Sequence, residues 1–268
     1  MLTRRSLLLA AGGAALGSGV APLRAKDFAM PDFTPTLFEL RNYQTRPGRR
    51  DELIAMFEAI FQDAYAAAGT FVAGSFRKLD DPDRFVWIRA FADGRARGTA
   101  LSGFYSSDAW LAHRDACNAT LVDASDSLLL RRIGGALPAT AESHPPAGAP
   151  LPQSRILVSI YLLRPGVQIE FAAAFQNVMQ PCLAHLGAAP SATFLSDEGE
   201  NFFPRQNVRS DNVLVSVTRF AHDAALQSFE SGATLDSEMS DAKGLLRPFL
   251  LGDPAILRLS PTSRSLTR

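Results

Sequence analysis

An α+β fold of two consecutive β-α-β-β-α-β units is what this chain predicts, and three observations predict it. The run Leu40-Arg41-Asn42-Tyr43-Gln44-Thr45-Arg46-Pro47-Gly48 returns in divergent form as Ile160-Tyr161-Leu162-Leu163-Arg164-Pro165-Gly166. A helical stripe of Leu53, Met56, Phe57, Ile60 and Phe61 returns 118 residues later as Phe171, Ala174, Phe175, Val178 and Met179. Phe91-Ala92 returns 129 residues later as Phe220-Ala221. A period this long means duplicated domains, because solenoid repeats are shorter. The difference between the two offsets places eleven extra residues in the second copy, within Ser196 to Asn212, a polar stretch that carries the apolar patch Phe202-Phe203-Pro204.

The elements follow in order. Leu37 to Thr45 alternates like a strand, and Pro47-Gly48 punctuates it before Asp51 to Ala68, whose apolar residues share one helical face. Phe71 to Leu79 and Phe85 to Phe91 read as strands joined by the turn Asp80-Asp81-Pro82-Asp83. A helical region runs from Asp93 to Ser125, broken near Gly103 and restarted with Ser107 or Asp108 as N-cap. Leu128 to Ile133 closes the unit as a strand. Gly134 to Ser154, with five prolines, is the linker, and the pattern then restarts, ending where Leu257-Arg258 echoes Leu130-Arg131. The expected domains are residues 36–133 and 155–260 around a 134–154 linker. The β-α-β-β-α-β order is the ferredoxin-like arrangement. Such a unit covers one sheet face with helices and leaves the other bare. The second copy's sheet is expected to cover the first, giving a pseudo-symmetric α/β barrel within one chain.

Composition bounds the function. The chain has 268 residues, 47% of them apolar, which is enough for two modest domains. Lys plus Arg equals Asp plus Glu at 27 each, and no basic run with interleaved aromatics occurs, which argues against a nucleic-acid partner. Met1 to Leu9 combines Arg4-Arg5 with an apolar run, and the Ala/Gly-rich stretch ends near Gly19, too short to span a bilayer. Residues 1–25 therefore read as a cleaved export signal, with cleavage after Ala21 or Ala25. Thr3-Arg4-Arg5-Ser6-Leu7-Leu8 resembles the twin-arginine type, which implies bacterial export to the periplasm or beyond. No membrane span is expected to remain after cleavage. An oxidising compartment would permit a disulfide between the only cysteines, Cys117 and Cys182, but they fall at non-equivalent places in the copies and read as buried free thiols.

Glu39-Leu40-Arg41-Asn42-Tyr43, Arg46-Pro47-Gly48, Gly74 and Asp108-Ala109-Trp110, in this order and spacing, resemble the NIPSNAP family, whose domains resemble dimeric α/β barrels. The resemblance is clear over residues 36–133 and weaker over 155–260. One departure is Arg89-Ala90-Phe91, since the family often has a tryptophan where Arg89 stands. The resemblance implies no shared reaction: eukaryotic members are linked to trafficking and mitochondrial roles. The broader barrel superfamily includes cofactor-free monooxygenases and haem-handling enzymes.

Strand alternation puts Glu39, Arg41 and Tyr43 on one face and Phe38 and Leu40 on the other. The apolar face is expected to meet the helices, leaving the polar trio pointing into the barrel. There it reads either as a buried network that docks the two sheets or as a site in which a phenol, oriented by an ion pair, holds a ligand oxygen. Arg77 and Arg89 are candidates to join either arrangement. Trp110, His113, Cys117 and Leu121 share a helical face, where His113 reads as a core histidine or, on a pocket wall, as a base or haem ligand. His185 has the same two readings, whereas His144 and His222 read as solvated. No pair of histidines has metal-ligand spacing, and C-x-x-C, G-x-S-x-G, P-loop and G-x-G-x-x-G patterns are missing, so neither a metal nor a cofactor is expected. Two functions stay open: an exported binding or interaction protein with a pocket for a small apolar or aromatic ligand, and a cofactor-independent monooxygenase-like enzyme. An oligomer is compatible with both.

Overall fold

The computed structural model describes residues 35–138 and 144–268. The export-signal segment 1–25, its twin-arginine run and its cleavage positions lie outside the described residues. In the first half, β1 (Leu37–Thr45) leads into α1 (Arg50–Met56), a π-helical turn (Phe57–Phe61) and α2 (Gln62–Ala67). There follow β2 (Phe71–Lys78), β3 (Arg84–Phe91), α3 (Gly94–Ser106), α4 (Asp108–Thr120), β4 (Leu121–Asp123) and β5 (Ser127–Gly135). The second half runs β6 (Arg155–Leu162), α5 (Gln168–Ala174), a π-helical turn (Phe175–Met179), α6 (Gln180–His185), β7 (Ala192–Ser196) and β8 (Val213–Phe220). It ends with α7 (Asp223–Leu235), α8 (Ser237–Leu246) and β9 (Ala255–Pro261). Asp93 caps α3 by accepting from the Ala96 amide, and Ser107 caps α4 by accepting from Trp110, so the break near Gly103 falls a few residues later than the sequence suggests. α4 stops at Thr120 rather than Ser125, because Leu121–Asp123 pairs with the end of β1.

Eight strands close into an antiparallel barrel in the order β1-β3-β2-β9-β6-β8-β7-β5 and back to β1. The halves meet at two seams, β2 against β9 and β5 against β7. Phe38, Leu40, Val86 and Ile88 of the first half pack inside with Val158, Phe194, Val215 and Leu257 of the second. The Phe38 and Phe194 rings lie 4.9 Å apart. Removing this apolar surface from water is the main drive for joining the halves. Two outer layers, α1–α4 and α5–α8, each bury a separate apolar cluster against the outside of the barrel.

This layering reverses one expectation. Phe38 and Leu40 face the barrel interior, while Leu37 and Tyr43 belong to the cluster beneath the helices. Glu39 and Arg41 alternate with Phe38 and Leu40, so the polar trio lies outside the barrel and under α1–α4. Both faces of a barrel strand are buried, so the apolar face has two places to go.

The ladders also fix how the copies correspond. Glu39 opposes Arg89 and Leu157 opposes Thr218, which reproduces the offsets of 118 and 129 read from sequence. The π-helical turns fall at matching places, Phe57–Phe61 and Phe175–Met179. The closing strands differ: Leu129 opposes Glu39 and Arg258 opposes Leu157, so the register partner of Arg131 is Ser260 rather than Arg258. The hairpin between β2 and β3 has five connecting residues and that between β7 and β8 has sixteen, locating the eleven extra residues in 197–212. Cys117 and Cys182 are free thiols, but only Cys117 is buried; Cys182 on α6 is half-buried. No helix among the described residues is long and apolar enough to cross a membrane.

Candidate functional site

Strand pleating aims Glu39, Arg41 and Tyr43 of β1 and Trp87 and Arg89 of β3 at the underside of the helices, and α3 adds Arg97 from above. Glu39 is fully buried and is shared by three guanidiniums. Arg89 donates from Nη2 to both of its oxygens at 2.8 and 2.9 Å, Arg97 donates from Nε at 2.8 Å, and Arg41 bonds it through Nη1. The Ser127 hydroxyl of β5 donates to it at 2.9 Å. Arg41 also donates from Nε to the Tyr43 oxygen at 2.8 Å and from Nη2 to the Ala124 carbonyl at 2.7 Å. Burial alone pushes the Glu39 carboxyl up, but Arg89, Arg41 and Arg97 together outweigh it and hold the group well below the usual carboxylate range. Burial likewise raises the Tyr43 phenol, against the pull of Arg41. Tyr43 is therefore a neutral hydroxyl at neutral pH.

The second half completes this cluster through its long hairpin. Gln206 accepts from Arg89 Nη2 at 2.5 Å and from Arg97 Nη2 at 3.3 Å, and Asn201 accepts from Arg97 Nη1 at 2.9 Å. Phe203 stacks on Tyr105 with ring centroids 5.6 Å apart and 8° between planes. Arg209 pins the far end of the loop, donating to Asp126 at 2.9 Å. Gly98 permits the approach: a Cβ there would lie 2.9 Å from the Phe202 carbonyl oxygen.

Beside the cluster lies a cavity of about 650 Å³. Phe57 and Phe61 of the π-helical turn, Tyr65, Phe104 and Trp110 form much of its wall, and Arg41, Tyr43, Trp87 and Gln206 supply polar groups. Arg114, Arg205 and Asp123 also line it. Among the described residues, no three His, Cys, Asp or Glu side chains gather as metal ligands would.

The residues singled out from sequence separate accordingly. Glu39, Arg41, Tyr43 and Arg89 come together, and Trp110 joins Arg41 and Tyr43 at the cavity. Arg77 does not join them: it shares the outer face but sits at the far end of β2, where its Nε donates to Asp51 at 2.9 Å. His113 is not among the lining residues. It is half-buried on α4 rather than in the core, with its Nδ1 2.9 Å from the Ala109 carbonyl and its ring edge-on to Phe61. His144 is not free in solvent, since its Nδ1 lies 2.9 Å from the Arg264 carbonyl and burial lowers its pKa. His222 caps α7 by accepting from the Ala225 amide, and His185 is exposed at the end of α6. Arg97, Ser127, Asn201 and Gln206 were not singled out. For Arg97 the available signal was its place one turn after the Asp93 cap.

No family model matches the chain, and no curated protein matches it. Solved structures do. The chain is similar to an anthrone oxidase-like protein at 13% identity and TM-score 0.57, over 85% of this chain and 92% of that one. It is also similar to a Fusobacterium nucleatum protein described as a candidate monooxygenase, at 10% identity and TM-score 0.52, over 85% and 93%. What is shared is the fold. It is a mixed α+β protein with an eight-stranded antiparallel barrel. A NIPSNAP-like domain protein from Burkholderia xenovorans aligns with 39% of this chain over 93% of its own length, at 19% identity and TM-score 0.36.

Proposed function

We propose that the first half is a binding chamber for a small, flat aromatic molecule and that the second half is its scaffold and cover. One observation carries this reading: a cavity of about 650 Å³ walled by Phe57, Phe61, Tyr65, Phe104 and Trp110, with Arg41, Tyr43 and Gln206 among its polar groups. An apolar cavity of this size with a few polar groups is the usual form of a small-molecule site. The chain reads as tandem ferredoxin-like units, 36–133 and 155–260, related to NIPSNAP domains and acting in the periplasm or outside the cell after twin-arginine export. The chain's two tryptophans, Trp87 and Trp110, both line the cavity, so intrinsic fluorescence reports on its occupancy. Titration with two- and three-ring aromatics is expected to quench that emission saturably. Absence of saturable quenching by any of them would remove the chamber reading. Export is tested separately by changing Arg4 and Arg5 to lysine, which is expected to abolish periplasmic yield.

A second reading, cofactor-independent oxygenation, is favoured by the fold shared with an anthrone oxidase-like protein over most of both chains. In it the ligand itself is oxidised by dioxygen and the protein only holds the ionised ring. Oxygen uptake that requires both protein and ligand would support it.

A further inference from the structure

We propose that the chamber takes its ligand as an anion: an aromatic acid whose ionised oxygen is held by the Tyr43 hydroxyl and the Trp87 indole N–H, beside Arg41. The inference rests on the chamber reading and narrows it to one class of ligand.

The first ground is charge. Arg41, Arg89 and Arg97 are each no more than about 2% exposed and share a single carboxylate, Glu39. The remaining side-chain partners of the cluster, Tyr43, Ser127, Asn201 and Gln206, are neutral. Three buried cations facing one anion leave an excess of positive charge, and a buried charge without a counter-charge is costly. An anionic ligand supplies what the fold lacks.

The second ground is the donor count. The Tyr43 oxygen accepts from Arg41 Nε, which leaves its own proton with no acceptor among the described residues. Trp87 is 1% exposed and its Nε1–H, a donor only, has no partner among the described residues; it is closed to a water-sized sphere, so the ring has to turn to present it to a ligand oxygen. A buried donor left unpaired is expensive and calls for an acceptor. Both residues line the cavity, their rings meet edge-on at 5.9 Å, and the Arg41 guanidinium carbon lies 4.9 Å from the Tyr43 ring centroid and 6.0 Å from that of Trp87. Two unused donors next to a guanidinium form an oxyanion seat, and the aromatic wall takes the ring behind it.

Calorimetric titration of the full chain at pH 7 with 2-naphthoate and with its neutral counterpart 2-naphthalenemethanol tests this. A charge-assisted hydrogen bond predicts that naphthoate binds at least about tenfold more tightly. Tyr43→Phe and Trp87→Phe are each expected to remove most of that preference, weakening naphthoate while leaving the alcohol within about twofold. Trp87→Phe keeps an aromatic ring beside Arg41 and Arg89 and removes none of the guanidinium hydrogen bonds, so it decides the matter alone if Tyr43→Phe fails to fold. Arg77→Gln, outside the cluster, should change neither affinity. Equal binding of the two compounds, or equal weakening of both by Trp87→Phe, overturns the anion assignment and leaves the chamber reading standing. Binding of neither compound overturns both.

Discussion

By strand register and helix position, Glu39, Arg41, Trp87, Arg89 and Arg97 of the first half correspond to Leu157, Ser159, Ser216, Thr218 and Leu226 of the second. One half buries four charges and an indole where the other buries leucine and hydroxyls. Yet Tyr43 and Tyr161, Phe57 and Phe175, and both π-helical turns remain. The same outer layer thus forms with no buried charge at these five positions, its ion pairs Arg155–Asp223 and Arg258–Glu230 being partly exposed, which agrees with the general finding that a buried ionic network is replaceable by apolar packing. The network in the first half therefore needs a reason other than the fold, and the adjoining cavity supplies one. The second half instead contributes the long hairpin that covers its partner.

The sharpest way to break this comparison is to convert one half toward the other. Glu39→Leu leaves three buried guanidiniums without a carboxylate and should cost roughly 3 to 5 kcal/mol in urea denaturation. The quadruple variant Glu39→Leu, Arg41→Ser, Arg89→Thr and Arg97→Leu should be less destabilised than the single one, despite carrying more changes. If it is not, the two halves are not interchangeable frames. Next in size is the hairpin. Cutting 197–212 to the length of 79–83 removes Asn201 and Gln206 from Arg97 and Arg89, with an expected loss of about 1 to 3 kcal/mol. Tryptophan emission should also shift to the red as water reaches Trp87 and Trp110. An unshifted spectrum would mean the loop does not cover the chamber.

Acid provides a smaller, graded effect. The Glu39 carboxyl is held well below its usual range in the folded chain, whereas in the unfolded chain it titrates near about 4.3. Below that pH the unfolded state binds the proton first, so stability falls as pH drops, by up to about 1.4 kcal/mol per pH unit from this group until its folded pKa is reached. Glu39→Leu should flatten that part of the stability curve; an unchanged slope would assign the acid sensitivity elsewhere. The smallest effect separates the thiols. Burial pushes Cys117 up to about 11, so in the native protein it should react with a disulfide reagent more slowly than the half-buried Cys182. Mass mapping of the first labelled cysteine checks this.

Much of the architecture was legible because period and punctuation carry it. β1 spans Leu37–Thr45 as its alternation indicates, and the extra length of the second hairpin follows from the offsets. The orientation of the polar trio was not legible. Alternation separates two faces but does not say which one the helices cover, since Phe38 has an equally apolar destination inside the barrel. Arg77 shares the face of Arg89, and only its distance along β2 takes it to Asp51. Arg97 stood in Gly94-Arg95-Ala96-Arg97-Gly98, which reads as a solvated helix start until Phe202 is seen lying over it. Gln206 sits in a loop without periodicity, and its partners arrive through tertiary contact alone.

The segment after β9 has a bearing on synthesis. Ser263 donates to Glu58 at 2.6 Å, the Arg264 amide donates to the same carboxylate at 2.9 Å, and its guanidinium reaches Asp63 at 2.7 Å, across more than 200 positions of chain. Thr267 then donates from its amide to the Ala73 carbonyl. The carboxylate of Glu58, buried on the π-helical turn after α1, accordingly has no partner from this segment until residues 263–264 have left the ribosome. The first half is made early and finished last. While it waits it exposes the edge of β2 and the bare face of its sheet, and contacts this distant in sequence form slowly.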